Sequence, residues 1–241
     1  MGYIRAKDVL VEFRIYGASS RSLKKTFLRA ATGGVLAKDA ADHPIVRALD
    51  HVSFEIREGE RIGVTGHNGS GKTTLLRVIA GAYEPLSGAL DIQGRVASML
   101  SVGLGMDMEA SGLENIYLRA AIMGLRRSEI DTLIDDVAAF AELGDYLEMP
   151  MRTYSSGMAM RLAFAVSTNV PADIVVMDEW LSVGDEEFSS KAQKRLRGMI
   201  DKARVLVLAS HDLALLKSNC TRIIRLDHGQ IVSDQPIAAY S

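Results

Sequence analysis

The sequence predicts an α/β fold with a mixed β core and one inserted helical block, and three observations predict it. Short apolar runs bounded by glycine, aspartate or charge recur along the chain, as buried strands do. One of them, Arg61–Thr65, runs directly into Gly66-His67-Asn68-Gly69-Ser70-Gly71-Lys72-Thr73, a loop of the form G-x-x-x-x-G-K-[ST] that opens a helix. Between about residues 101 and 170 the apolar spacing changes to a helical period.

The extended stretches fall at residues 4–13, 46–56, 61–65, 89–92, 174–177, 204–209, 222–226 and 230–232. In the helical block Ile130, Leu133, Ile134, Val137, Ala138 and Ala141 share one face, with Ser128 as a cap and Asp131 three residues on. Pro171 marks the return to a parallel-sheet core. The expected organisation is therefore one domain, 1–241, with a helical subdomain at about 101–170. No internal repeat and no low-complexity tract occurs.

The glycine-rich loop carries the first chemistry. Glycines let the backbone turn tightly, so that the N–H groups of Gly66, His67, Asn68, Gly69, Ser70 and Gly71 can converge on phosphate oxygens, and the helix that starts near Gly71 adds its positive end. Lys72 would reach the β- and γ-phosphates, the hydroxyl of Thr73 would take Mg²⁺, and Thr74 follows in the same turn. A nucleoside triphosphate with Mg²⁺ is the ligand this pattern expects. A second element, Ile174-Val175-Val176-Met177-Asp178-Glu179, is an apolar strand with two carboxylates at its end. Neighbouring strand residues point to opposite sides, so the two acids can divide the work. Asp178 is expected on the metal and Glu179 on the attacking water.

Composition excludes several classes. The 28 basic and 30 acidic residues give a formal net charge of −2, which is no electrostatic footprint for nucleic acid. The single cysteine, Cys220, forms no disulfide within the chain and reads as a small core residue in a reducing cytosol. The N-terminus lacks the basic start and long apolar core of an export signal, and position 6 lacks the Ser or Thr of an acylated Met-Gly start. No apolar run approaches the roughly 20 residues of a membrane-spanning helix, so a membrane-spanning part would be another chain.

Two further segments decide the family. Tyr154-Ser155-Ser156-Gly157-Met158, followed by Ala159 to Ala165, resembles the Leu-Ser-Gly-Gly-Gln signature of ATP-binding-cassette (ABC) ATPases. Trp180-Leu181-Ser182-Val183-Gly184-Asp185 resembles the family's D-loop, and His211 its switch histidine. The elements span residues 66 to 211 in the family's order. Physical logic agrees: Ser155, Ser156 and Gly157 open a helix running to about Asn169, whose unpaired N–H groups favour an anion. That end is expected to lie across the helical subdomain, out of reach of its own loop. The resemblance implies a head-to-tail homodimer in which each ATP is closed between one copy's phosphate loop and the other's signature. Glu179, His211 and Lys72 would carry the chemistry, and opening and closing would move a partner.

Finer details look like the ATPase subunits of bacterial polysaccharide exporters, which carry O-antigen, capsule or teichoic acid chains on a polyprenyl lipid. These are the Thr153–Met158 and Arg161–Val166 segments, Leu181 to Phe188, and Leu100 to Gly105 followed by Gly112-Leu113-Glu114-Asn115-Ile116. The implied partners are an integral membrane permease, in two copies, and through it a lipid-linked polysaccharide, most readily O-antigen; teichoic acid or capsule polymer is the alternative. Members of that branch sometimes carry a C-terminal carbohydrate-binding domain of β-sandwich type, and none is expected in 1–241; the implied place is the cytoplasmic face of the bacterial inner membrane. A soluble ABC ATPase of DNA repair or translation would show tandem cassettes, long coiled coils or a basic groove, and none is visible.

Three assignments stay open on the sequence. Ser101 stands where most ABC ATPases have the Q-loop glutamine, and its short hydroxyl would reach the metal or the water only through a bridging water. Adenine would stack on Phe13 or on Tyr16. Phe13 to Lys38 contains Arg14, Arg21, Lys24, Lys25, Arg29 and Lys38 and no acid, which is either a solvated basic face or a patch toward anionic lipid or the pyrophosphate of the glycan carrier.

Overall fold

A computed structural model describes residues 2–14, 35–38, 44–100, 103–179 and 186–240. They divide into two compact units, one of Met1–Val96, Val176–Glu179 and Arg204–Ser241, the other of Ala97–Val175 and Trp180–Ala203.

In the first unit, strands β1 (Tyr3–Arg14), β2 (Val35–Lys38), β3 (Pro44–Ile56) and β5 (Ser87–Gln93) form an antiparallel sheet in the order β2-β3-β1-β5. A second sheet runs β10 (Gln230–Pro236), β9 (Arg222–Asp227), β4 (Arg61–Thr65), β8 (Val205–Ala209) and then β7 (Ile174–Asp178), which enters this unit at Val176. Here β4 is parallel to both β8 and β9, with Ile62 opposite Val207 and Arg222, while β10 returns antiparallel. The first unit therefore has the mixed β core that the sequence predicts, its parallel strands accompanied by a separate antiparallel sheet. The antiparallel strands alternate buried and exposed residues, as in Ile4, Arg5 and Ala6, because one face meets solvent. Of the parallel strands, β8 is buried at every residue and β4 at all but Arg61, while β9 exposes Arg225. Cys220 closes helix α7 (Leu213–Asn219) as a buried residue, and burial pushes its thiol up to about 12, so it stays protonated and inert.

Helix α1 (Lys72–Ile79) follows β4 and buries Leu75, Leu76, Val78 and Ile79. The short strand β6 (Val96–Ser98) leads out of this unit, and both β2 and β6 were too short to stand out in the sequence.

The second unit is helical: α2 (Gly112–Ile122), α3 (Arg127–Asp131), α4 (Ile134–Ala141), α5 (Ser156–Asn169) and α6 (Glu186–Lys202). Its core holds Phe140, Phe164 and Phe188, with ring centroids 5.3 to 6.5 Å apart. Ser128 does not cap the helix. Arg126 is the N-cap and Glu129 accepts its N–H at 2.9 Å, while Leu133 separates α3 from α4, so the apolar face is shared by two short helices. Ser111 and Glu114 close a reciprocal capping box on α2, and the backbone N–H of Ser111 holds the Glu114 carboxyl below its ordinary range. Asn115, fully buried, donates to the carbonyls of Asp107 and Ser111 and accepts from the Asp107 N–H at 2.7 Å, which pins the chain before α2.

Candidate functional site

The phosphate loop is set by its glycines. Gly66 has φ +148° and Gly71 φ +108°. A Cβ at Gly66 would run into the Leu226 carbonyl, and one at Gly71 would come within 2.5 Å of the Ala48 carbonyl, so no other residue fits either place. Lys72 Nζ donates to the carbonyls of Gly66 at 2.8 Å and His67 at 3.0 Å. Helix α1 begins on Gly71 with no side-chain cap and no acid in its first turn, which leaves its N–H groups open to an anion. Within the loop Ser70 is completely buried, yet its Oγ has no hydrogen-bond partner. An orphaned buried hydroxyl costs about 1–3 kcal/mol and is relieved by a phosphate oxygen, so the loop fits the triphosphate that its sequence expects.

Strand β7 brings the acids. Asp178 Oδ2 accepts from Thr73 Oγ1 at 2.6 Å, so the two oxygens that the sequence expects on Mg²⁺ already meet, and they fit the hard oxygen donors this ion takes. The strand ends there. Glu179 has φ +64° and lies beyond it, so the division of labour between the acids comes from a left-handed turn and not from strand alternation alone. Its N–H donates to the Ala209 carbonyl at 2.8 Å, and its Oε1 is 2.7 Å from His211 Nδ1. Both side chains are exposed. Ser210, buried between β8 and His211, donates its N–H to the Val64 carbonyl of β4 and accepts the Asp212 N–H on its Oγ, which fastens the His211 turn to the loop's own strand.

Phe13, at the end of β1, is 38% exposed and meets Tyr83 edge to face at 5.3 Å. Tyr83 in turn carries Arg77 of α1 over its ring and accepts from it at 3.0 Å. Nothing local in the sequence distinguishes Tyr83. Tyr16, Ser101 and Asp185, with Arg21, Lys24, Lys25 and Arg29, lie outside the described residues.

In the helical unit, Ser155 is the N-cap of α5 and its Oγ accepts from Met158 N at 3.2 Å. Ser156 and Gly157 form the first turn, again without an acid. A Cβ at Gly157 would find only Ser155 Oγ, at 3.8 Å. On the same unit Leu118 and Ile122 of α2 leave apolar side chains exposed, with Leu104 and Met108 before them.

A phosphate loop with an open helix end, a threonine–aspartate pair beside it and a glutamate–histidine pair at the next strand ends define a P-loop nucleoside triphosphatase. Comparison with known proteins sharpens the class. Residues 49–182 match the ABC transporter family. The chain is 43% identical over 228 residues to the O-antigen export system ATP-binding protein RfbE of Yersinia enterocolitica, covering 95% of each. It is 40% identical to O-antigen export system ATP-binding protein RfbB of Myxococcus xanthus, and 37% identical to the teichoic acids export ATP-binding protein TagH of Bacillus cereus, spanning 53% and 40% of those longer proteins. A dimeric ATP-binding cassette, MJ0796, solved in a post-hydrolysis state bound to ADP and Pi, superposes with a TM-score of 0.67 over 97% of this chain and 98% of its own, at 18% identity. The chain belongs to the ABC transporter family.

Proposed function

We propose that this chain is the ATPase subunit of a bacterial exporter for a lipid-linked polysaccharide, with O-antigen as the cargo. The observation that carries the chemistry is the pairing at the end of β7, Asp178 on Thr73 and Glu179 on His211, beside the open N-terminus of α1. Support for the cargo comes from the relatives, of which RfbE matches over nearly the full length of both chains.

In this reading the loop N–H groups and the Ser70 hydroxyl hold the phosphates, and Lys72 leaves the Gly66 and His67 carbonyls for β- and γ-phosphate oxygens. Thr73 and Asp178 would hold Mg²⁺, which when bound supplies neutralisation of the phosphate charge. Glu179 takes a proton from the attacking water, and His211 keeps its carboxylate in place. Ser155, Ser156 and Gly157 present the positive end of α5 to the γ-phosphate bound by a second copy, so the working form is a head-to-tail homodimer. Phe13 or Tyr16 stacks on adenine, and Asp185 and Ser101 complete the site. The helical unit is the subdomain of a single cassette, and the apolar side chains on α2 receive a separate membrane permease, two copies per dimer. Among the described residues no helix is long and apolar enough to cross a membrane, which fits a subunit that docks peripherally at the cytoplasmic face of the inner membrane. Teichoic acid is the second reading of the cargo, favoured by the 37% identity to TagH.

Glu179→Gln tests the chemistry. It should bind ATP normally, lose turnover by roughly 10²- to 10⁴-fold and accumulate as an ATP-bound dimer. Near wild-type hydrolysis in the presence of the permease would remove Glu179 from its role.

A further inference from the structure

The His67 side chain lies away from the phosphate loop's own backbone donors, against the turn Asp227-His228-Gly229 between β9 and β10. Its Nδ1 is 2.8 Å from the Asn68 carbonyl, which can only accept, so that nitrogen carries a proton. The other nitrogen, Nε2, is 2.9 Å from Asp227 Oδ1. In a neutral imidazole Nε2 is an acceptor, and two acceptors that close repel unless a positive centre joins them. His228 brings a third donor: its Nε2 is 3.8 Å from the same Oδ1, and the two rings are 4.9 Å apart. One ligand atom from each of the three residues lies within 4.8 Å of the others. A metal ion can join both ring nitrogens and the carboxylate oxygen at once, with both rings neutral. An Nδ1–H committed to a backbone carbonyl is also the outer-shell contact that orients a metal-binding histidine.

The turn is held on both sides. His228 has φ +46°, and Gly229 beside it donates to the Ser70 carbonyl at 2.9 Å and accepts from Asp50 N at 2.9 Å. The turn is therefore fastened to the loop on one side and to β3 on the other.

We propose that His67, Asp227 and His228 bind a borderline divalent cation of the Zn²⁺ class, tying the entrance of the phosphate loop to the β9–β10 turn. Two imidazole nitrogens and one carboxylate oxygen suit Zn²⁺, Co²⁺ or Ni²⁺, whereas Mg²⁺ takes oxygen ligands, so this site is chemically distinct from the Thr73–Asp178 pair. With the three side chains 44%, 43% and 58% exposed, the ion exchanges with solvent and keeps at least one position for water. The proposal goes beyond the ATPase reading and does not depend on the cargo.

The test titrates the full-length, nucleotide-free chain with Zn²⁺ against a chromophoric chelator. One ion should bind per chain and survive excess Mg²⁺, and X-ray absorption should show two imidazole nitrogens. His228→Asn and Asp227→Asn should each weaken binding by more than about tenfold, the loss that even an outer-shell partner causes. Asparagine tolerates the left-handed backbone at position 228, so that variant keeps the turn, and circular dichroism checks both. His211→Asn and His51→Asn, which remove the other histidine–carboxylate pairs among the described residues, at 2.7 and 2.8 Å, should leave Zn²⁺ affinity unchanged. Absence of saturable binding, equal affinity in the wild type and the folded His228→Asn and Asp227→Asn variants, or a shell without imidazole would overturn the proposal. Because no nucleotide is present, either outcome is separable from failure of the ATPase reading.

Discussion

Helices α1 and α5 both begin with no acid in the first turn, yet their glycines answer to different demands. At α1 the demand is internal: backbone carbonyls of Leu226 and Ala48 fill the space where side chains of Gly66 and Gly71 would stand, and both residues hold a left-handed backbone. At α5 it is not. Gly157 is helical, has room for a Cβ, and heads a helix already capped by Ser155. In the proposed function that room is left for a phosphate held by a second copy: the phosphate loop is a site finished by its own fold, and the signature turn would supply the other half of a site.

The largest effect should come from forcing a side chain into the finished site. Gly66→Ala should lose nucleotide binding and also stability, by at least the roughly 1–3 kcal/mol of a strained backbone, since the Leu226 carbonyl must move as well. Thermal unfolding and nucleotide titration on one sample check both. Next comes Gly157→Asp, which separates the two quantities. An acid in the first turn of a helix stabilises it by about 0.3–1 kcal/mol, so the melting temperature should hold or rise slightly while ATPase activity is lost to a carboxylate standing where phosphate belongs. Nucleotide affinity of the isolated chain should not change. If the variant unfolds, the glycine is serving its own chain and the contrast between the helices fails.

Ser155→Ala should be the mildest. Losing the cap costs about 1 kcal/mol, or roughly 2–4 °C in a chain of this size, with activity reduced because the turn frays. A calorimetric scan measures it. No change would mean that the Met158 N–H finds another partner.

How much of this was legible in the sequence follows from how far apart the cooperating residues lie. The phosphate loop is one run of eight residues whose conformation is dictated by its own glycines, and it reads directly from the sequence. Asp178 and Glu179 were legible as a pair at a strand end, but the left-handed turn that sends Glu179 to His211 was not, because an acidic residue at φ +64° has no signature in sequence. The contact of His67 with Asp227 spans 160 positions and rests on which strand lies beside β4, which single-sequence periodicity does not encode. Tyr83 was hidden likewise, as its partner Phe13 comes from the antiparallel sheet. The cap at Arg126 in place of Ser128 shows the remaining weakness: Glu129 reaching back outweighed the better intrinsic capping residue two positions later.

The central claim, that α5 completes a site on a second copy, is tested most directly by mixing two dead subunits. Lys72→Ala removes the phosphate ligand from one chain, and Gly157→Asp blocks the signature turn of the other. In a head-to-tail pair one of the two sites then receives an intact Lys72 and an intact Gly157, while the other receives both defects. With subunit exchange verified by energy transfer between labelled chains, part of the ATPase activity should return in the mixture. A mixture that exchanges freely and stays as inactive as either parent would contradict the account.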